Sequence, residues 1–208
     1  VKDFKLITGG SGIALGLTSQ LKSRNDHKEK ITAHKLPKVL GKELILSGSC
    51  SEMTLAQVNE FSKKYRTLKL NPIELAESNS SLNNAVDWVI QAKGEEPVLV
   101  YASAPRDAVN EAQNRLGRDL ASSIVEQALA KIASAAVENG FRRIVVAGGE
   151  TAGAVVSNLG IKGIMIGEQI DPGVPTTVSI GNPSIGLVLK SGNFGSVDFF
   201  EKALKVMP

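Results

Sequence analysis

The sequence predicts an α/β fold, a largely parallel or mixed sheet flanked by helices in a Rossmann-like three-layer arrangement. Three observations carry that expectation. Short apolar runs such as Val98-Leu99-Val100 and Ile144-Val145-Val146 read as buried strands. They alternate along the chain with segments of helical periodicity, as in α/β proteins. Loops rich in Gly, Ser and Thr follow the strands at residues 9–12, 47–51, 148–153 and 191–195. In open α/β sheets ligands bind outside the carboxyl ends of the strands. If those strands run the same way, the four loops converge on one edge.

The elements follow in order. Residues 4–8 read as a strand, 9–12 as a glycine turn and 13–21 as a helix. Residues 25–42 are polar, mixed in charge and contain Pro37, so they read as a loop. Residues 43–46 form the next strand and 47–51 a loop of small residues. Residues 52–65 place Met53, Leu55, Val58 and Phe61 at helical spacing, with Ser51 as the N-cap. A strand over 67–70 precedes a short helix opened by Pro72. Residues 82–92 form a longer helix with Val86, Val89 and Ile90 on one face, and residues 97–101 a strand. The longest helical stretch, 118–138, is rich in Ala, with Ile124, Leu129, Ile132 and Val137 on its buried side. Asn139-Gly140 stops it. Strands follow at 143–146, 163–166, 177–179 and 186–189, and an amphipathic helix at 198–206.

Composition narrows the function. The chain has 208 residues, 42% of them hydrophobic and 22% charged, which suits one domain with an ample core or two small ones. A net charge of +3 is too weak to argue for nucleic acid. The basic cluster Lys22, Arg24, His27, Lys28 and Lys30 encloses Asp26 and Glu29 and carries no aromatic residue, so it reads as a solvated loop or helix end. No apolar run reaches the length of a membrane span and no signal peptide is visible. Cys50 is the one cysteine, so no disulfide forms within the chain, and a reducing, cytoplasmic home is expected. The chain begins with Val rather than Met, and we expect it to be the C-terminal part of something longer.

The stretch Ile144-Val145-Val146-Ala147-Gly148-Gly149-Glu150-Thr151-Ala152-Gly153 carries the most chemistry. A strand, a glycine turn and a helix start together make an anion site. Glycine permits close backbone approach, and the unpaired N–H groups of the first helical turn point at the ligand. Thr151 adds a hydroxyl, and Glu150 can reach a metal ion or a ribose, or complement the helix dipole. The stretch is neither a Walker loop nor a Gly-x-Gly-x-x-Gly fingerprint, and a purely structural turn is the competing reading. Lys190-Ser191-Gly192-Asn193 offers a cation for phosphate and a glycine for close approach. Ser47 and Ser49 offer hydroxyls at a helix start. His27, His34 and Cys50 show no metal-ligand spacing. Asp171 reads as an Asx-type turn residue before Pro172-Gly173, and Asp107 as the loop partner of Arg106.

Five segments in order then resemble a known family. They are Thr8-Gly9-Gly10-Ser11-Gly12, Ser47-Gly48-Ser49-Cys50-Ser51, Ala147-Gly148-Gly149-Glu150-Thr151-Ala152-Gly153-Ala154-Val155, Ile170-Asp171-Pro172-Gly173-Val174-Pro175 and Leu189-Lys190-Ser191-Gly192-Asn193-Phe194-Gly195. The chain resembles the C-terminal nucleotide-binding half of the four-carbon acid sugar kinases. The resemblance implies that residues 1–208 form the ATP-binding domain of a two-domain enzyme whose N-terminal, sugar-acid-binding domain is absent from this chain. It implies transfer of the ATP γ-phosphate to the terminal hydroxyl of a four-carbon acid sugar such as a 3-oxo-tetronate, with Mg²⁺ expected from the chemistry. By the same resemblance Ser47, Ser49, Gly148, Gly149, Glu150, Thr151 and Gly192 contact ATP. It assigns neither a catalytic base nor a metal ligand. D-threonate, L-threonate or D-erythronate as the acceptor, and a non-catalytic nucleotide-binding module, stay open as alternatives.

Overall fold

Three parallel apolar strands form the middle of the sheet, because their side chains are needed on both faces. In the computed structural model β1 (Lys42–Ser47) lies between β3 (Val98–Tyr101) and β4 (Phe141–Ala147). Leu44 pairs with Val98 on one side and Ile144 on the other. Successive side chains of a strand point to opposite faces, and helices cover both faces here. The runs are therefore continuous rather than alternating in hydrophobicity. The structure describes Leu6, Thr8, Gly9, residues 35–92, Gly94 and residues 96–208. Apart from Leu6, Thr8 and Gly9, the strand 4–8 and the turn 9–12 of the sequence reading lie outside the described residues, as do the helix 13–21, His27, His34 and the basic cluster. Contacts divide the chain into Val1–Ala33 and His34–Pro208, and the sheet and its helices belong to the second unit.

The remaining strands are β2 (Arg66–Lys69), β5 (Ile164–Asp171), β6 (Val174–Ser179) and β7 (Gly186–Lys190). The seven-stranded order is β2-β3-β1-β4-β7-β6-β5. The first five strands are mutually parallel, and β6 runs antiparallel to both β7 and β5. The helices among the described residues are α1 (Glu52–Ser62), α2 (Pro72–Glu77), α3 (Asn79–Ile90), α4 (Arg106–Leu116), α5 (Arg118–Glu138), α6 (Gly149–Asn158) and α7 (Phe199–Val206).

The pleat sorts the core into two halves. Leu44, Leu46, Val100, Ile144, Val146 and Leu187 meet α3, α5 and α6. Ile45, Leu99, Val145 and Val188 meet α1 and α7. The result is helix, sheet and helix in three layers. Among the described residues, α5 is the one helix long and apolar enough to cross a membrane. Its Leu129, Ile132, Ala133 and Ala136 are fully buried against the sheet, as expected of a core helix.

Three local outcomes differ from the sequence reading. Residues 106–116 are helical, although the segment after Tyr101 reads as a loop. The apolar stripe of α4 is narrow, and only Ala112 is buried; α4 packs on α5 rather than on the sheet. Arg106 and Asp107 occupy the exposed first turn and make no ion pair with each other. α3 starts at Asn79, three residues earlier than expected, because Ser78 caps it by accepting from the Ser80 N–H at 3.2 Å. Asp171 ends β5, and its carboxylate accepts from the Ser196 N–H at 3.0 Å and pairs with Lys202, so it fastens the segment before α7. Lys202 and the Ser196 N–H hold the Asp171 carboxyl below its ordinary range.

Candidate functional site

The site begins with strand register. Ser47 pairs with Tyr101 and Ala147, and Ala147 pairs with Lys190, so β3, β1, β4 and β7 end on one edge. Backbone hydrogen bonds continue past the strands and stitch the loops together. Gly48 and Ser49 both donate to the Ala147 carbonyl, at 3.0 and 3.2 Å. Ala102 donates to Ser47 at 2.8 Å and Gly148 to Lys190 at 2.9 Å. The loops 47–51, 148–153 and 191–195 are thus neighbours. Beyond Gly9, the loop 9–12 lies outside the described residues.

Two helices start at this edge with different chemistry. α1 is closed by its cap, since Ser51 Oγ accepts from the Thr54 N–H at 3.2 Å. α6 has Gly148 in the cap position, at φ +128°, and no side-chain cap. Its first intrahelical bond runs from the Ala152 N–H to the Gly148 carbonyl at 2.9 Å. The N–H groups of residues 149–151 precede that bond and remain available to an acceptor. The helix dipole adds partial positive charge there. A Cβ built on Gly149 meets nothing within 4 Å, so the space before that turn is open.

Beside the helix start lies a cavity of about 640 Å³, within the size range of small-molecule sites. Gly48, Cys50, Glu150 and Thr151 form its polar end. Small apolar side chains form the walls: Ala102 and Ala104 after β3, Ala108, Val109 and Ala112 of α4, and Ala121 and Val125 of α5. Lys69, Glu74, Glu77, Glu111, Arg115 and Glu126 supply the charge around it. Arg115 is paired with Glu111 at 3.2 Å. Burial, and then the neighbouring Glu150, raise the Glu126 carboxyl above its ordinary range.

The sequence-marked residues take different places. Glu150 and Thr151 line the cavity, and Gly148 and Gly149 make the adjoining turn. Ser47 is fully buried, and its hydroxyl pairs with Ser103 at 2.8 Å, joining β1 to the loop after β3. Ser49, Ser51 and Thr54 form a hydroxyl cluster, with Thr54 donating to the Gly192 carbonyl at 2.8 Å or to Ser49 at 3.3 Å. Gly192 is needed for this packing, because a Cβ there would sit 2.5 Å from Ser49 Oγ and 2.9 Å from Ser51 Oγ. Lys190 is only 1% exposed. Its ammonium points inward, donating to the Gly192 carbonyl at 2.9 Å, the Ser191 carbonyl at 3.1 Å and Thr54 Oγ1 at 3.2 Å.

Sequence reasoning missed Ser103, Thr54, Gln57 and the α4 wall. One signal was present. Thr54, Gln57, Val58 and Phe61 share the buried face of α1, so two polar residues occupy core positions of an amphipathic helix. Gln57 Nε2 donates to the carbonyls of Ser196 at 2.9 Å and Phe194 at 3.1 Å, which pins the loop after β7. Among the described residues no three His, Cys, Asp or Glu side chains gather as a metal cluster.

Residues 44–200 match the family of the nucleotide-binding C-terminal domain. The chain belongs to that family. The match runs from β1 into α7 and takes in every strand-end loop described above. The relatives of this nucleotide-binding C-terminal domain include the 3-oxo-tetronate kinase of Burkholderia multivorans, 44% identical over 202 residues, or 97% of this chain and 47% of the relative. The 3-oxo-tetronate kinase of Pseudomonas fluorescens is 44% identical over 97% of this chain and 46% of its own length. The crystal structure of a Haemophilus influenzae protein superposes with a TM-score of 0.77 at 38% identity, over 98% of this chain and 48% of that one. The chain spans about half the length of the curated relatives it matches.

Proposed function

We propose that this chain supplies the ATP site of a kinase that phosphorylates the terminal hydroxyl of a four-carbon acid sugar, converting a 3-oxo-tetronate to its 4-phosphate. The observation that carries the reading is the cavity of about 640 Å³ opening beside the uncapped N-terminus of α6. The names of relatives with 44% identity supply the acceptor.

In this reading the base and ribose occupy the wall of small side chains between α4 and α5, where Ala104, Val109, Ala112 and Ala121 leave room for a flat ring. The phosphates lie toward Gly48 and Thr151. They accept from the N–H groups of Gly149, Glu150 and Thr151, and the Thr151 hydroxyl adds a donor. Ser49 and Gly192 act from behind, by fixing the loops. Ser47 acts from further back, by holding the loop after β3.

Phosphoryl transfer depends chiefly on positioning and charge neutralisation. Glu126 and Glu150, which both line the cavity, are the carboxylates that would hold a Mg²⁺ ion travelling with the phosphates. Mg²⁺ is commonly held by one or two carboxylates plus substrate phosphates, which fits a pair rather than a cage. When bound, the ion supplies charge neutralisation. The residues of this chain bind the nucleotide and orient its γ-phosphate. We assign the sugar acid and the base that activates its hydroxyl to a second domain of the same protein, and we place the reaction in the cytoplasm, where the exposed free thiol of Cys50 stays reduced.

Cys50 also gives the test. It is exposed and lines the polar end of the cavity, so bound ATP covers it. Saturating ATP should slow alkylation of Cys50 by iodoacetamide at least about tenfold, the ratio expected when about nine sites in ten are filled. An alkylation rate unchanged by ATP would count against the cavity as the nucleotide site.

A further inference from the structure

We propose that the buried Lys190 ammonium is the standing positive charge behind the phosphate site, and that anion binding at the strand-end loops is coupled to its protonation. The inference rests on the nucleotide reading above and gives Lys190 a positioning role without contact to the ligand.

Three geometric facts carry it. First, Lys190 ties the loop after β4, the loop after β7 and the first turn of α1 together. Its carbonyl accepts from Gly148, while its ammonium donates to Ser191, Gly192 and the Thr54 hydroxyl. An ammonium has three N–H donors, and all three are used here, so none is left for a phosphate. Second, among the described residues no carboxylate pairs with it. On the face that Lys190 shares with Val188, α1 and α7 carry the nearby charges. Glu60 pairs with Lys63, Lys64 with Glu201, and Lys202 with Asp171. Glu52 and Lys205, the remaining charges of those helices, are exposed to solvent. Third, the hydroxyl and carbonyls around the ammonium are dipoles rather than counter-charges, and a buried charge without a counter-charge is costly. An anion held at the α6 turn offsets that cost.

The sign of the coupling follows. Burial lowers the Lys190 pKa to about 8. A bound anion favours the charged form and raises that value again. Affinity is therefore greatest where Lys190 is already protonated, below about 8, and falls as pH rises through that value.

The test is a calorimetric titration of the 208-residue chain with ATP, and with adenosine as the uncharged control, from about pH 7.5 to about pH 9.5, a span that brackets the lowered value. ATP affinity should fall by about tenfold across the range while adenosine affinity stays level. Lys190→Met should bind ATP weakly at every pH, near the wild-type value at the alkaline end. Lys162→Met, at an exposed lysine between α6 and β5, should keep the wild-type profile. A level wild-type ATP profile overturns the proposal whether or not Lys190→Met folds. So does a loss shared equally by adenosine, or a pH-dependent fall that persists in Lys190→Met. Failure of the folded wild-type chain to bind either compound at any pH overturns the nucleotide reading itself.

Discussion

Glycine serves two separate purposes at the strand-end loops, and substitution tells them apart. At Gly48 and Gly192 the missing side chain is filled by neighbours, since a Cβ would sit 2.2 Å from Thr151 Oγ1 in the first case and 2.5 Å from Ser49 Oγ in the second. At Gly149 the space is empty. Gly149→Val should therefore leave the fold intact, because the position is exposed and open and Val ranks above Gly in helix propensity. In the proposed reading, the branched side chain would stand where a phosphate approaches the N–H groups. We expect ATP affinity to drop more than about tenfold, or 1.4 kcal/mol, with the thermal midpoint nearly unchanged. Equal affinity in wild type and variant would refute the close-approach argument. The Gly-Gly-Glu-Thr turn was legible from residue types alone, because its chemistry is local. The inward orientation of Ser47 and Lys190 was not, because both look like surface loop residues until the sheet register places Ser103 and Thr54 beside them.

At the scale of elements, α1 and α6 divide the labour. α1 is capped and acts as scaffold, and α6 is open and presents its N–H groups. The Ser51 hydroxyl both caps α1 and donates to Thr54 Oγ1 at 3.0 Å. Ser51→Ala should destabilise the domain by about 1 kcal/mol, the usual worth of an N-cap. Chemical denaturation checks this, and an unchanged midpoint would contradict the cap. Capping and periodicity made α1 legible, with Ser51 named as its cap. α4 escaped because its buried stripe reduces to Ala112, too narrow to register as a face. That helix forms one wall of the cavity, so the sequence marked residues at the polar end of the candidate site and left its apolar end unseen.

At the scale of the molecule, the strand order explains where the site lies. After β1 the chain builds β2 and β3 on one side, then crosses to place β4 on the other. Such a reversal of strand order leaves a crevice at the carboxyl edge, where α/β sheets bind ligands. The parallel core was legible because strands buried on both faces need continuous apolar runs. The antiparallel β5–β6 pair was legible as strands but not in direction, since the expected strands 163–166 and 177–179 stop short of the Pro172-Gly173 turn, which β5 and β6 reach at Asp171 and Val174 with Gly173 at φ +82°. In the proposed reading this chain holds ATP by itself. The decisive measurement is calorimetric titration of the 208-residue chain with ATP in the presence of Mg²⁺ near neutral pH. Saturable binding at one site per chain is the expected result. A chain with native helix and sheet content that shows no saturable heat would contradict it.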